Sequence, residues 1–157
     1  MEPVSMETSV AAPIDLVWWA WTETERITEW FAPAANIVPV EGGAFELFFD
    51  PADHTHMSTI GCVITAFEPM ERLAFTWKGP DQFAQLMNEP VPATSVDVTF
   101  QQDNGSTRIR IVHGGWGDCD DWNEAWDWHF KAWEEVLRSL VSGLESGKDI
   151  LCCPNDG

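Results

Sequence analysis

The stretch GGWGDCDDWNEAWDWHFKAWEEVLRSLVSGLESG, residues 114–147, decides the fold. Read at helical period, Trp122, Trp126, His129, Trp133, Leu137, Leu140 and Leu144 lie four, three, four, four, three and four residues apart. That spacing places them on one stripe of a single helix about seven turns long. Three indoles on the stripe form a broad, stiff apolar wall. A wide concave partner is needed to cover it, and its side chains either pack as core or line a cavity.

Working outward, SVDVTFQ (95–101) and TRIRIVH (107–113) alternate around Asp103-Asn104-Gly105, a hairpin signal. MSTIGCVITAF (57–67) and RLAFTW (72–77) flank a tight turn at 68–71. GAFELFF (43–49) alternates after Gly42-Gly43, 35–39 reads as a short strand, and 5–11 as another. Pro13 suits a first helical position, so PIDLVWWAWT (13–22) reads as a helix, apolar nearly all round and therefore buried. A second short helix is expected over 25–30. The segment 79–92 reads as a loop with at most one helical turn near 82–87. Strand, two short helices, a run of strands and one long helix indicate an α+β fold with an antiparallel sheet.

The charge balance is strongly acidic: 26 Asp and Glu against 8 Lys and Arg, a net charge of -18 over 157 residues. Phosphate contacts need Lys and Arg, so the expectation is no nucleic acid, and docking on anionic lipid is equally disfavoured. A basic protein partner is the sharper reading of that charge. The first residues lack the basic and apolar regions of a signal peptide, and no apolar run approaches the roughly 18 residues of a membrane span. Cys62, Cys119, Cys152 and Cys153 show no CxxC pair or zinc-ribbon spacing. All four are read as reduced thiols of a cytoplasmic protein.

Several segments, taken in order, resemble one family: APIDLVWWAWTETERITEWFAP at 12–33, EGGAFEL at 41–47, EPMERLAFTW at 68–77, STRIRIVHGGW at 106–116, and the helix carrying His129, Trp133, Leu137 and Leu140. The chain is similar to the activator-of-Hsp90-ATPase-homologue-like branch of the START-like (SRPBCC, Bet v 1-type) superfamily. The resemblance implies a helix-grip fold. In it a curved seven-stranded antiparallel sheet surrounds a long C-terminal helix, with two short helices after the first strand. One such domain would span 1–147, and 148–157 would be a loosely ordered tail. Relatives commonly hold a cavity between sheet and helix. The resemblance leaves three activities open: a binding domain for a small apolar or amphipathic ligand, a chaperone-associated protein-interaction module, or a polyketide-cyclase-like or hydrolase-like enzyme. Monomer and homodimer both stay open, as does a cavity filled by its own indoles.

Trp19, Trp30, Phe31, Phe49, Trp77, Trp126, His129 and Phe130 are the expected ligand-lining residues, being bulky and flanking that cavity. No catalytic residue, metal or cofactor is assigned. His54 and His56 alternate on an extended segment and point to opposite faces, poor geometry for joint metal ligation. The acidic group Asp118, Asp120, Asp121, Glu124 and Asp127 suits a helix N-terminus, and Asp121 with Glu124 has capping-box spacing. His129 reads as a hydrogen-bonded core residue, His113 as a satisfied turn residue, and Arg108 and Arg110 as one solvated face. No nucleophile–base pair is apparent.

Overall fold

The computed structural model describes residues 1–147 and 149–153. Seven strands occur among the described residues: β1 (Val4–Val10), β2 (Ala34–Ile37), β3 (Phe45–Phe48), β4 (Ile64–Glu68), β5 (Arg72–Trp77), β6 (Thr94–Asp103) and β7 (Ser106–Gly114). Helices α1 (Ile14–Thr22) and α2 (Thr24–Ile27) follow β1, α3 (Ala84–Met87) follows β5, and α4 spans Asp121–Glu145. An antiparallel sheet around one long C-terminal helix is the helix-grip arrangement.

The strands divide differently from a single seven-stranded sheet. Five form the sheet β1-β7-β6-β5-β4, and β2 pairs with β3 as a separate ribbon. Isolated bridges at Ala44–Val63 and Phe48–Ser58 link the ribbon to the segment before β4. The cause is local. Residues 57–63, read as part of a strand, turn instead at Met57 and Gly61, which take φ of 49° and 86°. Register then shifts again between Ile64 and Ala66. Such irregularities bend a sheet and end its ladder.

The sharpest sequence signal holds in detail. Asn104 and Gly105 take φ of 51° and 89°, the two left-handed residues that a two-residue hairpin turn requires. β6 and β7 pair in unbroken register from Ser95–Gly114 to Asp103–Ser106. Ile109 and Ile111 are fully buried while Arg108 and Arg110 are exposed, as the alternation requires.

The buried line of α4 is Trp122, Ala125, His129, Trp133, Leu137, Leu140 and Leu144. Ala125 holds the place that Trp126 was expected to fill, and Trp126 is only half-buried. The helix cap is Asp120, which makes no side-chain capping bond, so the capping box expected of Asp121 and Glu124 is not formed.

Two further differences concern the C-terminal region. Cys152 and Cys153 are joined in a disulfide, so only Cys62 and Cys119 are free thiols, against the expectation of four. Within the stretch expected to be a loose tail, Asp149–Cys152 wind into a 3-10 turn with Leu151 buried. Residues 148 and 154–157 lie outside the described residues. The turn covers Arg26, whose side chain is wholly buried. Arg26 Nε donates to Glu23 at 2.6 Å, its Nη2 donates to the Cys153 carbonyl at 2.9 Å, and its guanidinium lies 5.3 Å from the Trp19 ring. A buried guanidinium is tolerable only with such partners.

Candidate functional site

Strand β5 alternates, so Phe75 and Trp77 face α4 and are buried, while the Thr76 hydroxyl accepts from Val63 N on the other side. Beyond Trp77 the chain leaves the sheet. Asn88 clasps Gly79 from both sides: Gly79 N donates to Asn88 Oδ1 at 2.8 Å, and Asn88 Nδ2 donates to the Gly79 carbonyl at 3.1 Å. A Cβ at Gly79 would run into the Met87 sulfur, so any larger residue there requires the buried Met87 side chain to move. Between this turn, the end of β3 and the middle of α4 lies an apolar pocket of about 220 Å³.

The α4 side of the pocket is Trp128, His129, Ala132, Trp133 and Val136. Opposite it stand Trp77 through Pro80, with Phe31, Phe49, Met57 and Ser58 completing the wall. The aromatic rings touch one another. Phe31 lies 5.6 Å from Trp133, 6.1 Å from Trp77 and 6.3 Å from Phe49. Asp81 joins the two loops at the mouth: its Oδ1 accepts from Met57 N at 3.0 Å, and its Oδ2 pairs with His56 Nδ1.

Beneath the pocket sit two buried histidines with perpendicular rings 5.2 Å apart. Trp77 Nε1 donates to His129 Nε2 at 3.1 Å, so the His129 proton sits on Nδ1 and is donated to the Ala125 carbonyl at 2.7 Å. Trp133 Nε1 donates to His113 Nδ1 at 3.0 Å, so His113 Nε2 donates to the Thr94 hydroxyl at 2.9 Å. Burial lowers His129 to about 4, against a smaller opposing effect of the Ala125 carbonyl. Burial, then the neighbouring His129, holds His113 well below the usual histidine range. Both rings are therefore neutral near pH 7, and all four ring nitrogens are engaged. Neither imidazole offers the pocket a free nitrogen for acid–base chemistry. His113 is thus a core residue of β7, not the turn residue that its position beside Gly114 suggested.

Four of the eight expected lining residues meet at this pocket: Phe31, Phe49, Trp77 and His129. The other four lie elsewhere. Trp19 is half-buried on α1 against Arg26. Trp30 lies behind Phe31, its Nε1 donating to the Ala20 carbonyl and its ring 4.8 Å from Trp21. Trp126 and Phe130 stack on each other at 5.6 Å on the opposite flank of α4, where Trp126 Nε1 donates to the Glu2 carbonyl.

At about 100° per residue, Trp126 and Phe130 are rotated from His129 in one direction, and Trp128 and Ala132 in the other. The stripe is legible in sequence, but which flank faces an opening is not. Met57, Ser58, Lys78, Gly79 and Pro80 come from irregular backbone that carries no periodic signal. His54 is exposed and stacks on Phe48 at 4.0 Å. Among the described residues no group of three or more His, Cys, Asp or Glu is placed to hold a metal, and no helix is long and apolar enough to cross a membrane.

Residues 11–145 match the family described as Activator of Hsp90 ATPase homolog 1-like protein. Among solved structures, the chain is similar to DynU16, a protein of the dynemicin biosynthetic locus, at 22% identity and a TM-score of 0.71. That match covers 94% of this chain and 49% of DynU16, so the chain spans about half the length of that relative. Protein MLL2253 from Mesorhizobium loti is 21% identical with a TM-score of 0.71, over 92% of this chain and 97% of its own. The Aha1 dimer from Colwellia psychrerythraea is 18% identical with a TM-score of 0.72, over 95% of this chain and 100% of its own. At these identities the likeness to the solved structures is one of fold. No curated protein matches the sequence.

Proposed function

We propose that this chain, which belongs to the Activator of Hsp90 ATPase homolog 1-like protein family, binds a small, largely apolar molecule between its sheet and α4. The observation that carries this reading is the apolar pocket of about 220 Å³ against Trp77, His129 and Trp133. An apolar concavity with few polar groups is the usual form of a small-molecule site. Affinity would come from apolar area removed from water. Native mass spectrometry of the protein after exposure to a cell extract tests the reading. A bound small-molecule mass that disappears on denaturation is expected. A clean apo mass after exposure to extracts of varied origin would count against it.

A second reading, a protein-interaction module or homodimer, is supported by exposed apolar side chains beside the β2–β3 ribbon. Val38, Val40, Ile60 and Val63 are 43%, 53%, 39% and 38% exposed. Val38 N donates to the Ala44 carbonyl, and Ala44 bridges Val63, so two of these valines flank one residue. Clustered apolar exposure of this kind marks contact surfaces. Sedimentation velocity tests it: a dimer that Val63→Glu converts to monomer supports the reading, and a monomer at high protein concentration sinks the dimer.

A further inference from the structure

Resting on the binding reading above, we infer that the pocket takes an uncharged, planar aromatic molecule of one or two fused rings, its polar atom a hydrogen-bond acceptor held at the mouth. Size sets the first limit. An apolar cavity of about 150 Å³ accepts benzene, so a pocket of about 220 Å³ has room for a second fused ring and little more.

The walls set the second limit. Phe31, Phe49, Trp77, Trp128 and Trp133 all line the pocket. Aromatic faces and edges attract other rings beyond what buried area alone provides. A rigid ring also loses little conformational freedom on entry, whereas an alkyl chain of equal volume must freeze several rotors.

Polarity sets the third limit. The indole N–H groups of Trp77 and Trp133 are already donated to His129 and His113. The remaining nitrogens of those imidazoles are bonded to Ala125 and Thr94. Lys78 contributes to the lining, but its ammonium lies against the Gly61 turn, 3.6 Å from where a Cβ there would stand. Lys78 is the one charged side chain among the lining residues, and with its ammonium at that turn a carboxylate carried inside would lose its water without an opposite charge beside it.

Two donors remain. The Ser58 hydroxyl accepts weakly from Ile60 N at 3.4 Å and keeps its own proton for another acceptor. The Trp128 indole, 38% exposed, makes no hydrogen bond among the described residues. Both belong to lining residues, and both can donate to an acceptor oxygen such as that of a phenol, ether or ketone, but neither carries the charge that would offset the desolvation of a carboxylate.

Isothermal titration calorimetry at pH 7 with four probes tests this: 2-naphthol, 2-naphthoate, octan-1-ol and octanoate. The expected result is that 2-naphthol binds and each of the other three is weaker by at least about tenfold. Ala132→Phe, which fills the pocket from α4, should weaken 2-naphthol by at least about tenfold while leaving the far-ultraviolet dichroism unchanged. Phe49→Trp, a filling change at a side chain 38% exposed, serves as a second variant where Ala132→Phe disturbs the helix. Binding of 2-naphthoate, octan-1-ol or octanoate within tenfold of 2-naphthol overturns the inference and leaves the binding reading standing. So does 2-naphthol binding that neither filling variant weakens. If no probe binds but a mass from extract is retained, the ligand class is wrong and the pocket reading survives. If no probe binds and extracts leave only the apo mass, both fall.

Discussion

The two halves of α4 serve different ends of the interior, the N-terminal half burying Trp122, Ala125, His129 and Trp133 and the C-terminal half Leu137, Leu140 and Leu144. Along its C-terminal half the interior is closed. Trp18, Trp21, Trp30, Phe31 and Phe100 interlock at ring separations of 4.8–6.4 Å, and Ser139 donates to the Trp30 carbonyl at 2.9 Å. Along its N-terminal half Trp128, His129 and Trp133 border an opening. Indole content does not separate the two ends, because Trp18, Trp21 and Trp30 stand at the closed one. What differs is the element opposite. The closed end is sealed by α1, whose own backbone is hydrogen-bonded and whose apolar side chains point in nearly every direction. The open end is finished by loops, whose polar backbone groups do not pack as a core. Phe31 is the partition, edge-on to Trp21 on one side and to Trp133 on the other.

The largest expected effect is at the closed end. Trp21 is fully buried, so Trp21→Ala should cost about 3–5 kcal/mol in urea unfolding. Trp21→Phe should recover most of that, because the buried Trp21 indole N–H has no partner among the described residues and a phenyl ring removes the orphan donor. A loss below about 1 kcal/mol for Trp21→Ala would mean that this end is not tightly filled, and the contrast would disappear.

Next comes the pH dependence beneath the opening. His129 is lowered to about 4 in the folded protein, while an unfolded histidine titrates near 6.5. The folded state therefore refuses a proton that the unfolded state takes up. This contribution to stability is complete above pH 6.5 and is lost as pH falls from there toward 4. Between pH 7 and pH 5 it amounts to about 2 kcal/mol. His113, held low by burial, should act in the same direction. His129→Gln keeps an acceptor for Trp77 but cannot titrate, so its urea midpoint should fall less between pH 7 and pH 5 than that of the parent protein. Parallel pH profiles for the two proteins would show that His129 is not shielded.

The contrast between the halves also explains what was legible in the sequence. The closed end is built from periodic elements, and these could be read. The strand 72–77, the Asn104-Gly105 hairpin, the first short helix and the long helix appear where the pattern places them, while the second short helix, expected over 25–30, ends already at Ile27. The ring contacts of the open end are of the same kind, but their positions depend on irregular chain. Met57 and Gly61 take left-handed conformations that end a ladder which alternation alone extends through 57–67. Gly79 and Pro80 reach the pocket through the Asn88 clasp, a contact nine residues apart with no periodic mark. On α4 the difficulty was one of choice. Trp126 looks a better wall than Ala125 by size, yet Ala125 is the buried one and Trp126 only half-buried, its indole turned to the Glu2 carbonyl. For His113 the glycines after it suggest a turn, while its place in the β7 alternation, two residues beyond Ile111, points inward, and the alternation prevails.

A smaller effect is expected at the mouth. Asp81 ties 56–57 to the turn after β5 through exposed groups, so Asp81→Ala should cost no more than about 1 kcal/mol globally. Amide exchange at 54–58 should nevertheless quicken, because local opening draws on the weakest contacts first. Unchanged exchange there, with Asp81 removed, would show that the loop is held by Met57 and Phe49 packing instead.

The smallest effect on stability and the sharpest test of the contrast come together at Phe49. Its ring is 38% exposed and touches Phe31 at 6.3 Å. Truncation removes little buried area, and the loop around it can relax. Phe49→Ala should therefore change unfolding stability by no more than about 1 kcal/mol, against several for Trp21→Ala. The same change widens the pocket mouth and strips one aromatic wall, so 2-naphthol affinity should fall by about tenfold. Stability lost on the scale of Trp21→Ala would mean that Phe49 belongs to the core and the two halves of α4 are equally closed. Affinity lost with stability kept would separate the residues that hold the fold from those that the opening leaves free to meet a ligand.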